Sequence, residues 1–297
     1  MSEANCKTVS SRGIMKSCDI YSLTPMSSVR QVIGYDFSAL KDGQTVYICS
    51  SAIPEFISTI FPNIQCKFIL VTGDCDESCP NELFRSQEEF IRFIESDKII
   101  HWYSQNCIGK HTKLTQIPIG MDYHTMSVRD HEWGPKTPPL DQEHILFSIK
   151  RSAKPLPQRI IKAYANFQFL MNTKYAYDRK DAINKIPKSC VFYEPSKVAR
   201  INTWKTQSEY AFVVSPHGNG LDCHRTWEAI ALGTIPIIKT SPLDSLFEGL
   251  PVWIVKDWNQ VNEQSMMIKI KEFKDRFNET NLEKMQLKYW LKKIINI

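Results

Sequence analysis

Short apolar runs bounded by turn residues recur along the first half of the chain: QTVYIC at 44–49, KFILVT at 67–72, KIIHWY at 98–103 and LTQIPI at 114–119. Each predicts a strand buried on both faces. Between them, residues 53–60 and 86–95 read as helices, the second with Phe90, Ile91, Phe93 and Ile94 along one side. Strands that alternate with helices predict a parallel sheet with both faces covered.

The segment DHEWGPKTPPLDQE, residues 130–143, carries three prolines and several charges, and it breaks all periodicity. It reads as a linker. Beyond it the pattern restarts. Strands are predicted at 145–149, 191–193, 210–214, 235–238 and 252–255, and helices at 158–166 and 223–232. This describes a second α/β unit of the doubly wound kind, in which ligands sit beyond the carboxyl ends of the strands. Residues 264–297 read as one or two amphipathic, Lys-rich helices ending LKYWLKKIINI. They would lay Phe273, Phe277, Trp290 and Ile294 on the body and leave Lys284, Lys288, Lys292 and Lys293 in water. Peripheral contact of this basic end with a membrane is the lesser reading. The chain thus divides into an N-terminal domain at 1–135, a second at 136–265 and a helical segment at 266–297.

A length of 297 residues suits two such domains, and 42% hydrophobic with 23% charged residues describes folded cores. The net charge of +5 is spread along the chain, which argues against nucleic acid as a partner. The polar start MSEANCKTVSSRG lacks the apolar stretch of a signal peptide, and the nine scattered cysteines fit reduced thiols in a cytoplasmic setting. Cys75 and Cys79 form the one close pair, too few for a structural zinc site.

The most informative stretch is AFVVSPHGNGLDCHRTWEAIALGTIPIIK, residues 211–239. A strand ends at Val214, and Pro216, Gly218 and Gly220 force a turn whose backbone comes close to its neighbours. Asp222 reads as the N-cap and Gly233 as the residue after the C-cap of a short helix. A helix N-terminus at that place attracts an anion. His224 and Arg225 stand in the first turn, where cations oppose the helix dipole, and a bound diphosphate would account for them. Arg225 offers a phosphate a planar fork, and Glu228 a ribose its oxygens. On spacing alone an ordinary surface turn, with Arg225 paired to Glu228, fits equally well.

These residues resemble the donor-binding motif of the exostosin-like glycosyltransferases, S-P-x-G-x-G-x-D-x-x-R-x-W-E-A followed by a G-x-x-P strand. FSIKRS at 147–152, DRKDAI at 178–183, YEP at 193–195 and KTSPLDSLFEGLP at 239–251 extend the likeness over the second half of the chain. The resemblance implies a GT-B architecture, two Rossmann-like domains facing across a cleft with a C-terminal helix. It also implies a nucleotide sugar, a UDP-sugar above all, as donor, a glycan or glycosylated molecule as acceptor, inversion at the anomeric carbon, and no required cofactor or metal. Carried over, Ser215, His217, Gly218, Asn219, Gly220, Arg225 and Glu228 would hold the donor, with Lys150 or Arg151 adding a cation from the end of the domain's first strand. His217 stands where relatives often carry a basic residue, and animal exostosins are membrane-anchored. The first departure makes the charge at that position depend on pH; the second, with the odd number of thiols, suggests a microbial or viral member acting in the cytoplasm, the host's if viral.

For the general base of an inverting reaction, Asp122 and His124 in GMDYHT and Asp76 after FILVTG are the candidates. Asn106 could orient acceptor hydroxyls. Asp74 and Asp76 also have the D-x-D spacing of a divalent-metal site, a rival reading. From another class, a glycan-binding or scaffolding protein would keep the fold without turnover.

Overall fold

The computed structural model describes residues 2–169 and 172–295. The first sheet contains β1 (Thr45–Cys49), β2 (Phe68–Gly73), β3 (Ile99–Ser104) and β4 (Leu114–Gln116), all parallel and in sequential order. The helices before and within it are α1 (Ser11–Met15), α2 (Ile53–Glu55), whose helical backbone runs on toward Asn63, and α3 (Gln87–Ile94). A sequential parallel order with right-handed crossovers puts the connecting helices on one face. Side chains alternate accordingly. Val46, Ile48, Phe68, Leu70 and Trp102 point to the core that contains Phe56, Phe90 and Phe93. Tyr47, Ile69, Val71 and Tyr103 point the other way.

That second face is closed by the two ends of the chain. The short helix α4 (His124–Val128) is followed by α5 (Pro139–Ser152), α6 (Ala176–Lys185), α7 (Arg200–Gln207), α8 (His224–Ala231), α9 (Glu263–Phe273) and α10 (Leu287–Ile295). Ile14 and Met15 of α1 and Leu287, Trp290 and Ile294 of α10 join one buried cluster with Tyr47, Val71 and Tyr103. The Tyr103 hydroxyl donates to the Lys293 carbonyl at 2.6 Å. Phe273, Trp290 and Ile294 are buried as expected, and Phe277 packs partly buried on the core. Lys284 is not solvated: its ammonium donates to the carbonyls of Leu246 and Glu248 at 3.2 and 2.7 Å. Residues 296 and 297 of the predicted terminal segment lie outside the described residues. Among the described residues, no helix is long and apolar enough to cross a membrane.

The second sheet contains β5 (Ile160–Ala165), β6 (Val191–Tyr193), β7 (Tyr210–Val214), β8 (Ile235–Lys239) and β9 (Trp253–Val255), parallel in the order β6-β5-β7-β8-β9. The chain steps outward from β5 to β6 and then returns across β5 to β7. The gap between the carboxyl ends of β5 and β7 is therefore the topological switch point, where open α/β sheets bind ligands.

Two predicted elements change type. The run at 145–149 lies inside α5, where Gln142, Glu143 and Leu146 are buried at helical spacing and Pro139 starts the first turn. The predicted helix at 158–166 is β5, the strand between β6 and β7. Its Ile160, Ile161 and Tyr164 imitate a helical stripe, but pairing on both edges decides the conformation. The prolines of the predicted linker shape the irregular stretch before α5, which itself begins at Pro139.

Loops that follow strands of the two sheets meet, the Asp222 amide donating to Asn106 Oδ1 at 2.9 Å. One buried cluster runs from Ile69 and Val71 of the first through Trp227 and Ile230 of α8 to Ile238 of the second, so an apolar core joins the two units.

Candidate functional site

The loop after β7 is held by the first turn of α6. Asp178, fully buried, accepts from the His217 amide at 3.0 Å and from the Trp258 indole at 2.8 Å. Its neighbour Arg179 donates from Nε to the His217 carbonyl at 3.0 Å. His217 is thus gripped at both backbone groups, and its Nδ1 lies 3.1 Å from the Leu221 carbonyl.

Beside this loop stand two guanidinium groups. Arg179 and Arg225 lie over the same ring, Phe167, at 5.9 and 5.5 Å. Arg225 donates to Ser215 Oγ at 3.4 Å and the Pro216 carbonyl at 3.3 Å, and Arg179 to the Gln168 carbonyl at 3.1 Å. Among the described residues neither meets a carboxylate in an ion pair. Burial first, and then the Arg225 cation, pull Arg179 down to about 10. Two cations held together at a switch point, with no carboxylate in ion-pair contact among the described residues, form an electrostatic arrangement that a bound anion would complete. Cys223, not Asp222, occupies the N-cap of α8 and caps it with no side-chain bond. Asp222 instead accepts from the Ile119 amide and the Trp227 indole, each at 2.8 Å. The helix tip therefore keeps its donors free of a capping side chain.

The rest of the loop meets the first sheet. The Asp222 amide donates to Asn106 Oδ1 at 2.9 Å, and Asn219 lies near enough to Asp76 to oppose the rise that burial gives its carboxyl. A Cβ on Gly220 would stand 2.8 Å from Asn106 Nδ2 and 3.1 Å from the Asp76 carbonyl. Gly220 thus answers to the facing lobe, whereas Gly218 lies against Arg179 and Cys223. Gly220→Ala is expected to destabilise the chain by about 1–3 kcal/mol, read by urea denaturation. An unchanged midpoint would mean that this contact is loose. Asn106, expected at the acceptor, is buried, and both ends of its amide are engaged, Nδ2 donating to the Cys75 carbonyl at 3.2 Å.

Across the gap, the His124 and His224 rings lie 6.0 Å apart, and His224 Nδ1 is 2.7 Å from the Gly120 carbonyl. The two base candidates of GMDYHT form a pair, with His124 Nδ1 3.1 Å from Asp122 Oδ1. Arg200 Nη2 holds the other carboxylate oxygen at 2.7 Å, and its guanidinium lies over the Trp133 ring at 4.6 Å. Burial pushes the Asp122 carboxyl up, but Arg200, His124 and His224 outweigh it and hold the group well below the carboxylate range. Burial depresses His124 more than Asp122 raises it, so the imidazole is neutral at pH 7. With Nδ1–H given to Asp122, the lone pair of Nε2 faces Ser27 Oγ at 3.4 Å. That hydroxyl gives its proton to Asp74 Oδ1 at 2.8 Å, which leaves the lone pair unclaimed. Arg200→Ala strands a buried carboxylate and is expected to cost about 3–5 kcal/mol in denaturant unfolding. A loss within experimental error would contradict this pairing.

Several expected residues lie elsewhere. Lys150 and Arg151 stand in the last turn of α5, not at a strand end. Lys150 is depressed by burial and by Arg159, whose guanidinium binds the Leu232 carbonyl at the far end of α8. That is about 12 Å, one length of α8, from the helix tip, so this cation does not join Arg225. Glu228 forms no ion pair with Arg225 among the described residues. It is buried and accepts from the Trp204 indole at 3.2 Å. Ser215 is buried with its hydroxyl 2.8 Å from Thr226 Oγ1. Asp76 is half-buried, and burial raises it while Asn219 and His224 oppose the shift. Of the D-x-D carboxylates, Asp74 is taken by Arg12 at 3.2 Å and by Ser27 at 2.8 Å.

Sequence reasoning missed Asp178, Arg179, Arg12 and Arg200 as site residues. DRKDAI was noted for its likeness alone, and no spacing in the chain links its arginine to Phe167 or Arg225. No protein-family model matches the chain, and no curated protein matches its sequence.

Proposed function

We propose that this protein is an exostosin-like glycosyltransferase of GT-B arrangement that moves a sugar from a UDP-sugar to a hydroxyl of a glycan or glycosylated acceptor. The observation that carries this reading is the pair Arg179 and Arg225 over Phe167, at the switch point and beside the uncapped tip of α8. A diphosphate matches that pair in charge, and two guanidinium forks suit its oxygens. Facing it, the His124–Asp122 pair supplies a neutral imidazole with one free nitrogen.

In the proposed reaction His124 Nε2 takes the proton of the acceptor hydroxyl as its oxygen bonds to the anomeric carbon. The bond from that carbon to the diphosphate oxygen breaks with both electrons, giving UDP. Arg179, Arg225 and the amides of the α8 tip stabilise the charge on the departing diphosphate. Asp122, fixed by Arg200, keeps the imidazole oriented and stabilises the imidazolium that forms. Attack from the face opposite the leaving group inverts the anomeric centre.

The test is UDP release by the purified chain from a panel of UDP-sugars, with and without mixed glycan acceptors. Release that depends on one donor and rises with acceptor supports the reading. Absence of release from every nucleotide sugar in the panel would leave a binding protein rather than an enzyme.

A further inference from the structure

Four of the nine cysteines gather where the first sheet ends: Cys49 closes β1, Cys75 and Cys79 follow β2, and Cys107 follows β3, all four buried in one cluster. The close pair of the sequence, Cys75 and Cys79, is divided between two partners. Cys79 is bridged through the backbone to Cys107. Cys75 turns to Cys49. Asp74, at a φ of +57°, bends the chain just past β2, and Cys49 Sγ lies 3.6 Å from its carbonyl oxygen, at the peptide that leads into Cys75. The two thiols are near enough to divide their protons unequally. Cys75 draws the Cys49 thiol below its ordinary 9.0 against the pull of burial, while Cys49 and then burial push Cys75 far up. Cys49 is therefore the thiolate of the pair, the form that attacks, and Cys75 keeps its proton.

The pair also has an approach from water. Cys49 lines a small pocket with Tyr35, Tyr47 and Asp74, and Met26 and Ile33 of the same pocket are themselves 53% and 44% exposed, so it lies just under the surface. Its free space is about 10 Å³, the least that holds one water molecule. Such a space selects an oxidant as small as hydrogen peroxide and excludes a glutathione or protein disulfide. Cys79 and Cys107 are the more deeply buried couple. We infer that Cys49 and Cys75 form a site of reversible oxidation by hydrogen peroxide. The Cys49 sulfur attacks one peroxide oxygen, the O–O bond breaks with its electrons on the leaving hydroxide, and the proton that Cys49 had released makes that hydroxide water. The Cys75 sulfur then gives up its proton and attacks the sulfenic acid left on Cys49; the S–S bond forms, the S–O bond breaks, and the hydroxyl leaves with that proton as a second water. Two thiols are oxidised to one disulfide, and one peroxide is reduced to two waters. The bond would form beneath the seam between the lobes, since the Cys75 carbonyl accepts from Asn106 Nδ2 at 3.2 Å and Asn106 Oδ1 takes the Asp222 amide. The site stands whether or not the chain transfers sugar.

The experiment exposes the full chain, reduced and freed of reductant, to hydrogen peroxide, quenches it in acid, alkylates it in denaturant and maps the cysteines by mass spectrometry of the digest. The Cys49–Cys75 disulfide is expected to form about tenfold or more ahead of any other thiol oxidation and to be reversed by dithiothreitol. Cys66 and Cys223 are more exposed, so oxidation led by accessibility alone would begin at them. In Cys75→Ser the Cys49 sulfenic acid lacks its resolving thiol and is expected to be trapped by dimedone, and in Cys49→Ser neither the disulfide nor that adduct forms. Oxidation that begins at Cys66 or Cys223, a first disulfide between any other cysteines, Cys49 oxidised but not joined to Cys75, or both thiols still alkylated when the rest have reacted overturns the inference. Should a serine variant not fold, the linkage map of the wild-type chain decides alone.

Discussion

Arg225→Ala is expected to lower the kcat of sugar transfer by about 10²–10³-fold, the range for removing one preorganised donor from a developing anion. Among the described residues the guanidinium donates to Ser215 Oγ and the Pro216 carbonyl, both at 3.3–3.4 Å, and lies over Phe167, so the fold gives up modest contacts when it is removed. In the proposed reaction its role is electrostatic and falls on the departing diphosphate, so kcat is expected to drop more than donor affinity. Arg225→Lys recovers little, because an ammonium keeps the charge but not the fork. Arg179→Ala should act in the same direction with some loss of stability, since Arg179 also holds the His217 carbonyl. Steady-state kinetics with the preferred UDP-sugar makes the comparison, and wild-type kcat in Arg225→Ala would rule out this clamp.

The second large effect is expected at His124. His124→Ala should reduce kcat by about 10²–10⁴-fold, the usual contribution of a positioned base. The pH dependence carries the more specific signature. Burial lowers the His124 pKa beneath its ordinary 6.5, so the imidazole is neutral, and competent, at pH 7. As pH falls through the depressed value the proposed base gains a proton, and kcat/KM is expected to fall with it. The acid limb therefore lies below 6.5 and vanishes in His124→Ala. Asp122→Asn should keep the imidazole in place yet weaken its orientation and raise the cost of the imidazolium. An acid limb that persists unchanged in His124→Ala would assign the base to another group, Asp76 first.

Strands with a plain apolar run were legible in the chain, because a parallel strand buried on both faces needs continuous hydrophobic sequence. β1, β2, β3, β7 and β8 follow that rule. β5 does not, since Ile160 and Ile161 are exposed and only Ala163, Tyr164 and Ala165 are buried. Its strand character comes from partners far away in sequence. The predicted strand at 145–149 failed for the converse reason. Polar Gln142 and Glu143 face inward, Glu143 binding the Lys7 and Thr8 amides, so half of the buried face of α5 lacks a hydrophobic signal.

The site divides in the same way. The glycine turn and Arg225 are contiguous, and the short helix after them ends at Gly233 with a φ of +73°. The partners of that turn are not contiguous. Arg179 reaches it from α6, Arg200 reaches Asp122 from α7, and Arg12 reaches Asp74 from α1, each across tens of residues. Long-range ion pairs leave no periodic trace. Lys150 misled for a related reason: its nearness to a familial motif holds in sequence, while α5 carries it to the far end of α8.

Titration of UDP and of uridine into the wild-type chain and into Arg225→Ala, followed by melting temperature, isolates the diphosphate contact from any turnover. A raised melting temperature with UDP, a much smaller rise with uridine, and loss of that difference in Arg225→Ala is the predicted result. Equal responses to UDP and uridine, or an undiminished UDP response in Arg225→Ala, would show that the two guanidinium groups over Phe167 do not hold a diphosphate.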